Sequence, residues 1–310
     1  MSVLHIVDVF ARQKYAGNQL AVVESDGALS DAEMQAVADE MNYSETTFVE
    51  SRESPYRVRI FTPEAEVPFA GHPTLGTAHV IREQIADGRP DEVVLDLNVG
   101  EVPVAVREVR PTGEPPNEGT ATDGSREREV DGNETLWMTQ QTPEFGEILD
   151  HEPLAEVHGL PVGKLDADWP VQVVSTGLPT IIVPLVDREA LEGIDLDRGA
   201  YERVTGDRDA KLVHAVCPDP REDANDMAVR MFSPFYGVPE DPATGSANGC
   251  LAAWLARHAY FGGGSVDVRV EQGFEMGRPS ILHLQATDRG DAVDVEVGGQ
   301  VVDVARGELL

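Results

Sequence analysis

Glu45, His72 and Asp241 stand in settings unlike those of ordinary surface charges. Glu45 lies in NYSETTFV (42–49), an otherwise uncharged, hydroxyl-rich stretch that runs into an apolar strand. A lone loop glutamate is ordinarily a solvated charge, and this chain has 56 acidic residues. A carboxyl partly withdrawn from water, however, keeps its proton to higher pH, which suits it to general acid/base work. His72 sits between Gly71 and Pro73, where a histidine can cap a helix, lie in a core or face a ligand. Asp241 precedes Pro242, and the ordinary role there is an N-cap carboxylate that satisfies the first amides of a helix. Gly71-His72 and Gly245-Ser246 each open an apolar helix and offer free main-chain amides, a natural seat for a substrate carboxylate. A carboxyl acid/base group between two such helix starts can move a proton on a small carboxylic acid.

A repeat brings these turns into relation. RIFTPEAEVP (59–68) and RMFSPFYGVP (230–239) align without a gap at an offset of 171, with five of ten positions identical and Thr62 matched by Ser233. Each copy runs into a small-residue turn with a titratable group, AGHP (70–73) and EDPATGS (240–246), and each turn opens an apolar helix. Two equivalent strand–turn–helix units imply two similar domains that face each other across a cleft.

The elements around the turns follow from apolar periodicity. Strands are expected at 5–10, 20–24, 46–50, 56–61, 93–97 and 102–109. Ser30 and Glu33 make a capping box, and Met34, Val37, Ala38 and Met41 then fall on one helical face. Pro73 suits the first turn of a helix that runs to about residue 83. Residues 110–135, with seven acidic and three basic residues and almost nothing apolar, read as an exposed excursion near a domain boundary. The expected domains are 1–125 and 126–310, the last residues being candidates to pass back to the first. The second contains strands at 171–175, 180–186, 212–217, 227–232, 266–271, 281–287 and 293–297, a helix at 245–258, and a Gly298-Gly299 hairpin into 301–305. Each half thus consists of several antiparallel strands with one strongly apolar central helix, an α+β class.

Composition bounds the rest. The 310 residues suit two domains, and 41% of them are hydrophobic. The formal net charge is −32, and Lys14, Lys164 and Lys211 are the only lysines. A carboxylate-rich surface of this kind fits a folded protein in a salt-rich cytoplasm and argues against nucleic acid or anionic membrane as a partner. Cys217 and Cys250 have neither metal-like nor redox-like spacing and read as buried packing thiols. The uncharged run 169–186 contains Pro170, Pro179, Pro184 and Gly177, so it reads as two short strands around a turn rather than a membrane span. No signal peptide is visible, since Asp8 and Arg12 break the early apolar stretch, and a cytoplasmic location is expected. No GxGxxG, Walker or HExxH motif supports a nucleotide or zinc-protease reading. One histidine with two carboxylates is a poor closed metal site.

The chain resembles the PhzF-like (phenazine biosynthesis-like) proteins within the diaminopimelate epimerase superfold. The resemblance rests on GNQLAVV (17–23), NYSETTFV (42–49), FTP (61–63), FAGHPTLGTAH (69–79), STGLP (175–179), EDPATGSANG (240–249), QG (272–273) and GRPS (277–280), which occur in family order across nearly the whole chain. It implies two similar domains, each a β-barrel-like antiparallel sheet around a central helix, with the site between them. It also implies a homodimer and chemistry with no metal or organic cofactor. Glu45 matches the family's proton-shuttling glutamate, and His72 and Asp241 match its polar site partners. Asn18, Gly71, Gly245 and Ser246 fall at the substrate-binding positions. The related epimerases carry a cysteine at each turn; Cys217 and Cys250 fall elsewhere, which argues against a two-thiol racemase. The implied activity is a cofactor-independent isomerase acting on a small organic carboxylate. An epimerase or racemase with carboxylate bases and a non-catalytic small-molecule binder are the alternatives.

Stability is expected to depend on salt, because the Debye length grows from about 3 Å at 1 M to about 10 Å at 0.1 M ionic strength and unmasks carboxylate repulsion. The thermal midpoint should fall on dilution from molar to 0.1 M potassium chloride. An unchanged midpoint would contradict the salt-adapted reading.

Overall fold

The computed structural model describes residues 2–108 and 134–310. The polar excursion expected over 110–135 lies outside them except for Glu134 and Thr135, which open a strand, and the boundary expected at 125/126 lies outside them altogether. The described residues form a sheet-dominated α+β structure in which 18 strands link through main-chain hydrogen bonds into one sheet.

The first half runs β1 (Ser2–Val9), β2 (Asn18–Glu24), α1 (Asp31–Met41), β3 (Thr46–Val49), β4 (Tyr56–Phe61), the short β5 (Glu66–Val67), α2 (Gly71–Val80) with a π turn at Ile81–Ile85, β6 (Glu92–Leu97), β7 (Gly100–Glu108) and β8 (Glu134–Thr139). The second runs β9 (Glu144–Leu149), α3 (His151–His158), β10 (Val171–Ser175), β11 (Pro179–Pro184), α4 (Arg188–Glu192), α5 (Arg198–Thr205), β12 (Leu212–Cys217) and β13 (Met227–Ser233). It continues through β14 (Val238–Asp241), α6 (Gly245–Arg257), β15 (Ser265–Gln272), β16 (Ser280–Asp288), β17 (Val293–Gly299) and β18 (Val301–Leu309).

The internal repeat seen in sequence extends through the strand pairings. In the first half β18–β1, β1–β2, β3–β4, β6–β7 and β7–β8 pair antiparallel, while β2–β3 and β4–β6 pair parallel. In the second, β9–β10, β10–β11, β12–β13, β15–β16 and β16–β17 are antiparallel, and β11–β12 and β13–β15 are parallel. The two series meet where β8 pairs with β17. The sheet is therefore mixed rather than purely antiparallel. A parallel pair needs a crossover connection; α1 lies in the β2–β3 crossover, α2 in β4–β6, α4 and α5 in β11–β12, and α6 in β13–β15.

Local chemistry sets the elements. The Ser30/Glu33 capping box forms as expected and starts α1, and Asn42, in the left-handed region, ends it just before Glu45. In β15 the alternating Val266, Val268 and Val270 are buried. Every residue of α2 but Gly71 and His79, and every residue of α6 but Ser246 and Arg257, is buried, which fits helices enclosed by sheet rather than laid on it.

The expected Gly298-Gly299 hairpin does not form. Both glycines lie inside β17, and β18 leaves the turn at Gln300 to pair with β1. A two-residue hairpin needs positive φ, which neither glycine has. Their role is steric: a Cβ on Gly298 would stand 2.6 Å from the Trp137 ring, and one on Gly299 2.2 Å from the Phe10 ring. Helices α3, α4 and α5 have no counterpart in the expected elements.

Gly299→Ala should destabilise the fold by about 1–3 kcal/mol, because Phe10 is fully enclosed and has no room to retreat. Urea unfolding would test it; a midpoint equal to wild type contradicts the tight contact.

Candidate active site

The structure brings Glu45, His72 and Asp241 together from three separate segments. Glu45 precedes β3, His72 is the second residue of α2, and Asp241 ends β14. His72 Nδ1 faces Glu45 Oε2 across 3.6 Å. Asp241 is near enough for its charge to act on Glu45. The two helix starts abut: a Cβ built on Gly71 would lie 3.4 Å from the Ser246 amide nitrogen and 3.6 Å from Gly245 Cα. Thus Gly71, Gly245 and Ser246 share one junction, where their amides sit at the positive ends of α2 and α6. A groove of about 490 Å³ beside β9, α3 and α5 is lined by none of these residues.

The three titratable groups have different electrostatic settings. Glu45 keeps 18% of its side chain exposed, yet Oε2 is enclosed and accepts no hydrogen bond from the protein. Burial pushes its carboxyl up to about 8, and the Asp241 charge adds to the rise. Burial also lifts Asp241, to about 6, but hydrogen bonds from Thr244 and Asn18 pull the other way. Burial holds His72 down at about 4, against the pull of the Gln19 carbonyl. That carbonyl lies 3.3 Å from Nε2 and can only accept, so Nε2 carries the proton and the Nδ1 lone pair faces Glu45. Near neutral pH the set is a protonated Glu45, a neutral His72 and an ionised Asp241.

Asp241 is not the N-cap of α6. Pro242 and Ala243 separate it from the cap position, which Thr244 occupies, and its carboxylate turns into the site instead. The Thr244 hydroxyl donates to Oδ2, and Asn18 Nδ2 donates to Oδ1 at 3.0 Å and to the Ala243 carbonyl at 3.0 Å. Asn18, expected among the substrate-binding residues, here holds Asp241. It is itself placed by Arg278, which reaches the Gly17 and Ala16 carbonyls and the buried Asp8. Gln272 and Ser280 brace the turn from beneath: Gln272 Nε2 donates to the Asp241 carbonyl at 2.8 Å, and the Ser280 hydroxyl to that of Pro242 at 2.8 Å. Nothing in their local sequence marks these supporting roles; QG (272–273) and GRPS (277–280) entered the sequence reading only through the family resemblance. The thiols stand apart: Cys250 lies against Thr176 and the Leu178 carbonyl, and Cys217 against the Asp219 carbonyl.

The sequence profile of the phenazine biosynthesis-like protein family (PhzC-PhzF) matches residues 7–307. The chain belongs to this family. Over 312 residues it is 33% identical to trans-2,3-dihydro-3-hydroxyanthranilate isomerase of Pseudomonas aeruginosa, with 97% of each chain covered. The PhzF-family phenazine biosynthesis protein of Bacillus anthracis superposes with a TM-score of 0.85 over 100% of this chain and 99% of that one, at 25% identity. A probable proline racemase of Agrobacterium radiobacter, at 11% identity, shares the fold alone, with a TM-score of 0.57 over 100% of this chain and 93% of that one. The chain is an enzyme of the isomerase class. No helix among the described residues is long and apolar enough to cross a membrane.

The raised Glu45 carboxyl has a signature in stability. It ionises near 4.5 in the unfolded chain and at about 8 in the fold. Between those values the folded state binds more protons, so the stability it contributes is complete below the unfolded value and is lost as pH rises through the folded one. Glu45→Gln removes this term alone. Its urea midpoint should gain on wild type as pH rises from about 5 to about 8; a constant difference across that window would show that Glu45 is not shifted.

Proposed function

We propose that this protein is a cofactor-independent isomerase that relocates a proton on a small organic carboxylate by general acid/base catalysis at Glu45. The observation that carries the reading is the enclosed pair Glu45 and Asp241, split in proton affinity, beside the abutting starts of α2 and α6. Facing helix starts supply amides for an anion, and a carboxyl with a raised pKa is a strong base once ionised.

In the proposed cycle the Glu45 carboxylate takes a proton from a carbon activated by the substrate's carboxylate or conjugated system. The C–H electron pair delocalises into that system, and the amides of Gly71, His72, Gly245 and Ser246 face the charge that builds there. Glu45, now an acid, returns the proton to a different carbon, so the product is an isomer and the enzyme is restored. His72 turns its unprotonated Nδ1 to Glu45 and can accept from the carboxylic acid once it has taken the proton, and Asp241 orients polar groups of the substrate and raises the basicity of Glu45. Each sequence half then acts as one domain, a sheet wrapped on α2 or α6, with the substrate between them. The working form is a homodimer, as the family resemblance implies, in a salt-rich cytoplasm, the setting that the net charge of −32 fits.

The test is deuterium incorporation in D2O, with a panel of small unsaturated carboxylates that includes trans-2,3-dihydro-3-hydroxyanthranilate, the compound named for the Pseudomonas relative. A substrate should exchange and isomerise, and Glu45→Gln should fold yet lose about 10²–10⁴ in rate. kcat/KM should rise with pH towards about 8 as Glu45 ionises. Full activity in Glu45→Gln rejects the mechanism, and binding without exchange favours the small-molecule binder.

A further inference from the structure

Gln272 ends β15 and is buried, and it touches neither Glu45 nor any acid/base group of the site directly. Its amide is oriented by two main-chain groups that each have a single role. The Asp241 carbonyl can only accept and lies 2.8 Å from Nε2; the Thr244 amide can only donate and lies 3.2 Å from Oε1. Asn248 Nδ2 also donates to Oε1 at 2.8 Å. Nε2 therefore turns its second hydrogen to the Thr244 hydroxyl oxygen, at 3.2 Å. A hydroxyl that accepts from Gln272 has its one proton left for Asp241 Oδ2, the contact that is observed. Asn18 Nδ2, fixed by the Ala243 carbonyl, supplies the other oxygen. Both oxygens of Asp241 thus face donors whose polarity the main chain dictates. Glu45 Oε2 faces none.

We infer that Gln272 is a positioning residue which, by forcing the Thr244 hydroxyl to donate to Asp241, keeps Asp241 ionised and leaves the shared proton on Glu45. The inference deepens the isomerase reading and rests on it for its catalytic meaning. The titratable groups that face the pair are few. Glu45 and Asp241 face each other, and His72 from α2 faces Glu45. Glu240, next to Asp241 on β14, is turned onto Arg230 of β13. Behind Asn248, His214 of β12 is held neutral by burial. No lysine or arginine among the described residues pairs with either carboxylate.

Two variants test it. Gln272→Met keeps length and removes both donors. Thr244→Val keeps shape and removes only the hydroxyl, leaving the Gln272 bonds to the main chain in place. Thr244→Val takes the donor away, and Gln272→Met frees the Thr244 hydroxyl to turn and accept instead; in either, Asp241 holds a proton more readily and the charge that burdens Glu45 is relieved. The rising limb of the kcat/KM profile should move to lower pH by about one unit, while Thr244→Ser should keep the wild-type profile. An independent readout needs no turnover: carboxyl infrared difference titration of the free enzyme, with Glu45 assigned by its loss in Glu45→Gln and Asp241 by its loss in Asp241→Asn. In wild type the Glu45 band should titrate above the Asp241 band, and in Gln272→Met and Thr244→Val the gap should close or invert. An unchanged gap in folded Gln272→Met, or in folded Thr244→Val, overturns the inference. Absence of turnover in wild type would instead overturn the isomerase reading, and the titration would still decide the role of Gln272.

Discussion

Two helix N-termini meet with no side chain between them, and much of the structure answers to that junction. The first turns of α2 and α6 come together at Gly71 and Gly245, near enough that a Cβ built on either would already touch the other helix at 3.4–3.8 Å. Each start carries unsatisfied amides and the positive end of a helix dipole. Neither first turn has an acidic residue of its own. The compensating negative charge comes from elsewhere in the chain, from Asp241 above α6, and Glu45 before β3 adds a second only once it ionises. Buried carboxylates, costly in a core, are favoured where two positive helix ends converge. The mirrored strand order delivers the two helices to the same place, since each crossover helix sits at the same point of its own series.

The same junction accounts for the contrast between the surface and the site. A chain with net charge −32 repels anions at long range, and concentrated salt screens that field within a few ångströms. Amides at a helix start act only at contact distance, where screening by salt is ineffective. A small carboxylate can therefore be held locally by a protein that is strongly acidic overall. Within the site, hydrogen bonding rather than net charge distinguishes the carboxyls: Asp241 has two fixed donors, and Glu45 Oε2 has none.

Those parts of the structure with a local cause were legible in the sequence. The Ser30/Glu33 box marked α1, alternating valines marked β15 and β17, and the RIFTP and RMFSP segments marked equivalent strands that form as β4 and β13. The uncharged setting of Glu45 carried its burial. What was missed has a tertiary cause. Gly298-Gly299 looks like a turn, but its lack of side chains serves the rings of Trp137 and Phe10, which are remote in sequence. Asp241 looks like a cap, but its partner Asn18 is 223 residues away. Parallel pairings leave no local period, so an antiparallel sheet was the natural expectation. Helices α3 to α5 are short, and two of them start on Asp side-chain caps, Asp187 and Asp197, that an acidic sequence hides among many similar residues.

The repeat is most informative where it fails. The strands before the two turns match at an offset of 171, but Gly71 and Gly245 match at 174, so the second turn is three residues longer. In the first half only Phe69 and Ala70 separate Pro68 from the helix, and the cap residue has no hydroxyl. In the second, the extra length makes room for Asp241 to reach Asn18 and for Thr244 to serve as both cap residue and donor. Two otherwise equivalent helix starts thus present an imidazole on one side and an ionised, donor-bound carboxylate on the other. An epimerase needs a base on each face of one carbon, a task for which two alike turns are suited. Here the symmetry is broken, and the one strong base, Glu45, lies outside both turns. That asymmetry favours a single group that takes a proton from one carbon and returns it to another, which is the proposed isomerisation rather than inversion at a centre.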